Sequence, residues 1–159
     1  MAKVLKILTN DNPKEDKVLR EKSEYVPVEE IKSKEFQDYL DDLLETAKKS
    51  KIPAAGIASP QVGVLKRVFY TLNYDTNEWQ EFINPEIEPT NLAKTSIEEE
   101  CLSVPGKIGK VLRYANIKIK FMERNGEKKC IKYTGLNAVT LQHENDHLDG
   151  ILFIDKIIK

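Results

Sequence analysis

The histidines of this chain lie in one five-residue stretch, His143-Glu144-Asn145-Asp146-His147. Two histidines four positions apart share one face of a helix, so both imidazole rings can reach the same metal ion. Glu144 follows the first histidine and can carry a proton to or from water in the same space. The stretch therefore predicts a metal site on a helix, and a third protein ligand must come from elsewhere.

The chain has two cysteines and no signal-like apolar leader, which favours a reducing compartment. There a cysteine is more often a ligand, a nucleophile or a core residue than half of a disulfide. Cys130 alternates with charged and polar neighbours, as a small inward-facing strand residue would, and we interpret it as structural. Cys101 lies between an acidic run and a Pro-Gly turn, a poor setting for a buried thiol. Cys101 is the better candidate ligand.

The candidate ligand types limit the choice of metal. One thiolate with two imidazoles suits iron(II), zinc, cobalt or nickel, and ligand chemistry alone leaves zinc as acceptable as iron(II). A thiolate beside iron(II) is open to oxidation, so the ion found after purification need not be the ion used in the cell.

Three segments of the chain resemble the signature motifs of the peptide deformylase family, in the same order. They are similar to the family's GxAAPQ, EGCLS and QHExDHLxG elements. The start of the chain, from Ile7 to Val28, also resembles the family's N-terminal segment, so the likeness covers nearly the whole chain. The three segments are Gly56-Ile57-Ala58-Ser59-Pro60-Gln61-Val62-Gly63, Glu99-Glu100-Cys101-Leu102-Ser103 and Gln142-His143-Glu144-Asn145-Asp146-His147-Leu148-Asp149-Gly150.

The resemblance implies a hydrolase that removes the formyl group from the N-terminal formylmethionine of newly synthesised polypeptides and releases formate. Cys101, His143 and His147 would hold one divalent metal ion, leaving the open position typical of a catalytic site. The resemblance favours iron(II) in the cell, with zinc, nickel and cobalt as possible replacements.

The resemblance also implies which residues act on the substrate. Glu144 would take a proton from the attacking water and pass it to the departing amine. Negative charge that develops on the formyl oxygen needs hydrogen-bond donors, and these would be the side-chain amide of Gln61 and the backbone N–H of Leu102. Glu99 is expected to orient the loop that carries Cys101, and Asp146 either acts similarly or is a solvated charge.

The expected substrate cleft is formed by residues around the motifs. Leu136 and Val139 lie two turns and one turn before the metal ligands on the same helix face, so we expect them to contact the methionine side chain. Gly56, Ile57 and Glu100 should flank the peptide backbone of the substrate.

Three residues depart from the usual family pattern. Ala54 and Glu100 stand where the family commonly has glycine, and Ser59 stands where it commonly has alanine. Glycine is used where a backbone needs positive φ or where another chain approaches closely. The larger, charged side chain of Glu100 could therefore alter the rim of the cleft or repel an acidic peptide. Ser59 adds a hydroxyl that can bond locally.

Length and charge place limits on organisation and partners. The chain has 159 residues, enough for one domain spanning 1–159, and its net charge of −1 gives no reason to expect nucleic-acid or membrane binding. No apolar stretch approaches the length of a membrane span. We expect a cytoplasmic monomer. The short tail from Ile151 to Lys159 lacks the long C-terminal helix that some bacterial members use at the ribosome, so contact with the ribosome would be transient.

Two other functions remain open at this point. The first is an amidase of different specificity or an HExxH peptidase, although a sulfur ligand and a Gln61-type donor argue against a peptidase. The second is a deformylase-like peptide-binding protein with weakened catalysis because Glu100 blocks the cleft. The presence of Glu144 argues against this, since binding alone has no need for a proton-carrying carboxylate.

The pattern around the motifs predicts an α+β domain, with mostly antiparallel sheets surrounding a central metal-binding helix. Apolar residues at helical spacing, Phe36, Tyr39, Leu40, Leu43, Leu44 and Ala47, predict a helix from after Ser33 to about Lys49. The predicted strands are Val64–Leu72, Trp79–Asn84, Asn116–Met122 and, after an Asn125-Gly126 turn, one ending at Tyr133. The metal helix is predicted to run from an Asn137 cap to Asp149-Gly150.

Overall fold

The computed structural model describes residues 1–52 and 54–158, so Lys159 at the end of the predicted tail lies outside the described residues. Within this part, the named strands pair only in antiparallel fashion, which confirms the predicted α+β fold. The helices are α1 (Pro13–Leu19), α2 (Val28–Ile31), α3 (Lys34–Lys48) and α4 (Gly135–Leu148). The strands are β1 (Gly56–Ala58), β2 (Val68–Leu72), β3 (Trp79–Pro89), β4 (Lys94–Cys101), β5 (Val104–Tyr114), β6 (Asn116–Met122) and β7 (Lys128–Thr134).

A five-stranded sheet in the order β1-β2-β3-β6-β7 lies between α3 and α4. Successive side chains of a strand point to opposite faces, and the core of each face follows this alternation. In β2, Val68 and Tyr70 pack in the cluster with α3, whereas Phe69 packs in the cluster with α4. Burial on both faces explains why β2 is apolar almost without interruption.

The helix α3 forms as predicted. Ser33 is its N-cap, and its hydroxyl oxygen accepts a hydrogen bond of 3.1 Å from the backbone N–H of Phe36. Four members of the predicted stripe are buried, while Tyr39 and Leu44 pack partly buried against the same cluster. None of the helices in the described ranges is long and apolar enough to cross a membrane.

The helix α4 ends as predicted but begins earlier. Its N-cap is Thr134, whereas Asn137 lies inside the first turns, where its side-chain oxygen accepts a hydrogen bond of 2.8 Å from the backbone N–H of Tyr74. The Asn137 side chain thus anchors a neighbouring loop instead of capping the helix, so the predicted start was wrong. At the other end, Asp149 is the C-cap and Gly150 has φ +75°, the left-handed conformation that commonly ends a helix.

The predicted strands are correct in place but not always in length. β6 has the predicted bounds, and β7 follows the Asn125-Gly126 turn and ends at Thr134. β2 begins at Val68, not Val64, because a 3₁₀ turn over Ser59–Val62 and left-handed Gly63 delay it. β3 continues past Asn84 to Pro89 through a register shift between Ile83 and Glu86.

A second sheet, the β4–β5 hairpin, was not predicted. Its apolar side packs with Leu19 and with residues after α4, in a cluster that includes Val104, Val111, Leu152 and Phe153. The hairpin is important for function because Cys101 is the last residue of β4.

The predicted inward orientation of Cys130 is not what the structure shows. It lies on β7 and is exposed to solvent. The alternation with charged neighbours indicated a strand correctly, but β7 is an edge of the five-stranded sheet with six of its seven residues exposed, so the inward-facing interpretation was wrong.

Candidate metal and catalytic site

The three predicted ligands come together where the end of β4 meets α4. The ligand atoms of Cys101, His143 and His147 all lie within 4.8 Å of one another. The Cys101 Sγ is 3.4 Å from Nε2 of His147. The backbone arranges this meeting in two ways: the histidines lie about one turn apart on α4, and β4 shifts register against β5 between Glu99 and Cys101.

This donor set fits one divalent metal ion, because a thiolate and two neutral imidazoles are typical ligands of such ions. Burial lowers the pKa of His147 well below its ordinary value, which keeps the ring neutral. Burial also opposes protonation of His143, but its hydrogen bonds with Cys101 and Glu99 raise its pKa to about 10. A metal ion would compete with that proton for the imidazole.

Glu99 holds the His143 ring in place. Its Oε1 lies 2.8 Å from Nδ1 of His143, which leaves Nε2 for a metal ion. Arg113 on β5 donates to both oxygens of Glu99, at 2.6 and 2.9 Å. Burial opposes ionisation of Glu99, but the hydrogen bonds from Arg113 and His143 outweigh it and lower its pKa. Sequence reasoning expected Glu99 to orient the loop that carries Cys101, whereas in the structure its carboxylate positions the His143 ring.

Arg113 also connects the site to α4. Its guanidinium donates to Asp146 at 2.9 Å, and Lys156 lies 3.0 Å from the same carboxylate. Asp146 is therefore part of a partly buried ionic network, not a solvated charge. Sequence reasoning missed Arg113. The available signal was an arginine between apolar residues of an unrecognised strand, since a buried arginine needs a carboxylate partner.

Glu144 follows the candidate ligand His143 on α4 and is buried beside it. The residue is 4 % exposed, and its Oε1 has no hydrogen-bond partner among the described residues. Burial raises the pKa of the Glu144 carboxyl to about 7. A carboxyl poised near neutral pH can both accept and return a proton, which is the property expected of a proton carrier.

Gly56 leaves the space that the Glu144 carboxylate occupies. A Cβ atom at position 56 would lie 2.6 Å from Oε2 of Glu144 and 2.9 Å from Cδ and Cγ of the same side chain. Such contacts are too short to persist, so an added methyl group would push the carboxylate away. The glycine predicted as a substrate contact is thus required on packing grounds alone.

We expect Gly56→Ala to lower kcat/KM by roughly 10- to 100-fold while metal content stays unchanged, because a displacement of about 1 Å at a reacting group is costly. Metal analysis and initial rates test this result. In a Glu144→Gln background the same substitution should cost little further activity. Equal losses in both backgrounds would show that Gly56 acts independently of Glu144.

Gln61 presents its amide N–H groups toward the cluster. Its Oε1 accepts a hydrogen bond of 2.9 Å from the backbone N–H of Ala58, and this contact fixes the orientation of the amide. Its Nε2 then lies 3.5 Å from Cys101 Sγ and donates to the Ser103 hydroxyl at 3.1 Å. The Ser59 hydroxyl bonds locally as expected, donating to the Val64 carbonyl at 2.7 Å within the same turn.

One cavity of about 480 Å³ joins these residues to the predicted peptide-binding residues. Leu102, Leu136 and Val139 line it together with Gly56 and Glu100. A donor role for the Leu102 backbone N–H remains a prediction. Residues not foreseen at the sequence level also line the cavity, including Ile52, Tyr74, Glu98, Lys107, Ile108 and Thr140.

Ile57 differs from the other predicted substrate contacts. Its side chain is fully buried in the cluster with α3, on the opposite face of the sheet from α4. Strand alternation causes this difference, because Gly56 and Ala58 face the other side. Any contact of Ile57 with a peptide would therefore involve its backbone.

Comparison with known proteins agrees with this geometry. The family model described as polypeptide deformylase matches residues 4–159 of the chain. The peptide deformylase of Halothermothrix orenii is 44% identical over 147 residues, which cover 91% of this chain and 90% of that protein.

Two solved structures share the fold. The peptide deformylase from Thermotoga maritima has a TM-score of 0.86 at 30% identity, covering 98% of this chain and 99% of that chain. The Met-Ala-Ser-bound class I type b peptide deformylase from Acinetobacter baumannii has a TM-score of 0.88 at 30% identity, covering 99% and 100%. Sequence and fold agree over almost the full length, and the chain belongs to the polypeptide deformylase family.

Proposed function

We propose that this chain removes the formyl group from the N-terminal methionine of newly made polypeptides, using one iron(II) ion held by Cys101, His143 and His147. One observation supports this most strongly: the three ligand atoms lie within 4.8 Å of one another, and Cys101 and His143 line a cavity together with Glu144 and Gln61. Zinc, nickel or cobalt fits the same donor set. When bound, the ion would supply Lewis-acid chemistry, polarising the formyl oxygen and lowering the pKa of water.

The residues of the chain would carry the remaining steps. Glu144 takes one proton as the water oxygen bonds to the formyl carbon, and it delivers a proton to the methionine nitrogen as the C–N bond breaks. Formate and a free amino terminus result. The Gln61 amide and the Leu102 backbone N–H stabilise the negative charge on the formyl oxygen during this exchange.

The cavity walls would bind the peptide. Leu136 and Val139 contact the methionine side chain, while Gly56, the Ile57 backbone and Glu100 flank the peptide backbone. The tripeptide Met-Ala-Ser in the Acinetobacter baumannii structure supports a peptide of this kind as the ligand. We further propose that residues 1–159 form one catalytic domain, acting as a monomer in the bacterial cytoplasm and meeting the ribosome transiently. The bacterial origin of the related protein supports this location.

Formate release from formyl-Met-Ala-Ser tests the function. The protein is purified without oxygen, reconstituted with iron(II), and assayed before and after chelation, with acetyl-Met-Ala-Ser as the matched control substrate. We expect turnover of the formyl peptide alone, loss of turnover on chelation and recovery when iron(II) is restored. A metal-loaded protein that releases no formate would refute the proposal and favour a peptide-binding role.

A further inference from the structure

The mouth of the cavity carries charges that the proposed reaction does not use. Glu98 and Glu100 on β4 and Lys107 on β5 are exposed and line the cavity. Within residues 1–52 and 54–158, none of these three groups forms an ion pair within 4.0 Å. Their charges are therefore available to a ligand in the cavity.

The charge balance at this mouth is negative. Two carboxylates face one ammonium group, and the Glu99 carboxylate between them is already paired with Arg113 and His143. Glu98 and Glu100 flank Glu99 on β4, and both are exposed and line the cavity. A peptide leaving the metal cluster along β4 would pass Glu100 and then Glu98.

Exposed apolar side chains line the same mouth. Tyr74 is 46% exposed and Ile108 is 58% exposed, although both line the cavity. Lysine and arginine side chains bury their methylene groups on apolar surface and keep the charged group in water. A cationic group can also lie over a tyrosine ring. The same cavity thus offers apolar and acidic groups that match both parts of a long basic side chain.

We propose that Glu98 and Glu100 make this enzyme select formylmethionyl peptides with lysine or arginine at the second or third residue. This inference rests on the proposed function and concerns the same cavity. The methylene groups pack on Tyr74 and Ile108, and the cation lies by the carboxylates. A glutamate at the same peptide position is repelled by the carboxylates of Glu98 and Glu100. Since Glu100 stands where the family commonly has glycine, half of this acidic pair departs from the family pattern.

The experiment compares kcat/KM within two substrate series. The first varies the second residue: formyl-Met-Lys-Ser, formyl-Met-Gln-Ser and formyl-Met-Glu-Ser. The second varies the third residue: formyl-Met-Ala-Lys, formyl-Met-Ala-Gln and formyl-Met-Ala-Glu. We expect lysine to exceed glutamate by about tenfold at low salt in at least one series, with glutamine between them. The difference should appear mainly in KM. At about 0.5 M salt the ratio should fall to about two, because exposed charges are screened.

Glu98→Gln and Glu100→Gln should each lower the lysine-to-glutamate ratio, and the double variant should bring it close to one. Glu29→Gln is the matched control: Glu29 is exposed on α2 and lies away from the cavity lining, so its ratio should equal that of the unaltered protein. Each ratio is independent of the fraction of active protein.

Two outcomes would overturn the proposal: a ratio near one in the unaltered protein, or a ratio that the double variant leaves unchanged. Turnover of formyl-Met-Ala-Ser serves as the separate test of the proposed function. If that turnover is missing, calorimetric binding of Met-Lys-Ser and Met-Glu-Ser still decides the inference, because equal Kd values would refute it.

Discussion

Replacing Glu144 with glutamine is expected to lower kcat/KM by about 10²- to 10⁴-fold, the contribution typical of a positioned proton carrier. Glutamine has nearly the same shape but cannot accept the proton. The metal content should stay unchanged, because the expected ligands are Cys101, His143 and His147. Initial rates of formate release and elemental analysis of the same sample measure both quantities.

The same substitution should not destabilise the fold. The Glu144 carboxyl is buried, and its Oε1 has no partner among the described residues. A buried charge without a partner costs free energy, whereas a neutral amide costs less. We therefore expect the Tm of Glu144→Gln to equal or exceed that of the unaltered protein. Glu144→Asp keeps a carboxylate but retracts it, and should retain intermediate activity.

Full activity in the glutamine variant would exclude Glu144 as the proton carrier. Loss of the metal in that variant would instead indicate that Glu144 acts through metal binding. Loss of activity together with a fall in Tm would point to a structural role.

Gly150→Ala is expected to give a large loss of stability, about 2–5 kcal/mol, from two effects that add. Gly150 has φ +75°, a conformation that costs an L-residue roughly 1–2 kcal/mol. A Cβ atom there would also lie 2.2 Å from the carbonyl oxygen of Arg20 and 2.6 Å from its carbonyl carbon. Backbone atoms cannot move aside as a side chain can, so the contact adds an overpacking penalty of about 1–3 kcal/mol.

Thermal and urea unfolding measure this effect, which should lower the Tm by on the order of 10 °C. Gly135→Ala is the matched control, because Gly135 also has positive φ, +60°, but a Cβ there meets nothing within 4 Å. The control variant should lose only the part of the stability that comes from positive φ in an L-residue. Equal losses in both variants would show that the contact with Arg20 is relieved at little cost.

Local sequence determined the elements whose signals lie within a few residues. The apolar stripe that begins after Ser33 predicted α3 with bounds that agree within one residue, because helical spacing is a short-range property. β6 and the turn before β7 followed from alternation and from Asn125-Gly126 in the same way. The metal-ligand candidates also came from sequence, since four-residue spacing fixes a helix face and the motif resemblance identified Cys101.

Contacts between distant segments decided the remaining features. Asn137 has the residue type of a helix cap, but its side-chain oxygen accepts a hydrogen bond from the backbone N–H of Tyr74. The helix begins earlier, at Gly135. Cys130 alternates as a buried strand residue would, yet its strand is at a sheet edge and the thiol is exposed. For Asn137 the fold supplied a different hydrogen-bond partner, and for Cys130 it left the predicted inner face uncovered.

Residue types and their spacing identify the side chains that can do the chemistry, whereas packing between distant segments sets how those side chains are held. Residue type fixes what an imidazole, a thiolate or a carboxylate can do, whatever the surroundings. The bond between Glu99 and His143 and the space that Gly56 leaves for Glu144 join segments far apart in the chain, and Glu98 lines a cavity with residues of other segments. Such contacts depend on which faces of strands and helices are packed together, and no local pattern records that choice.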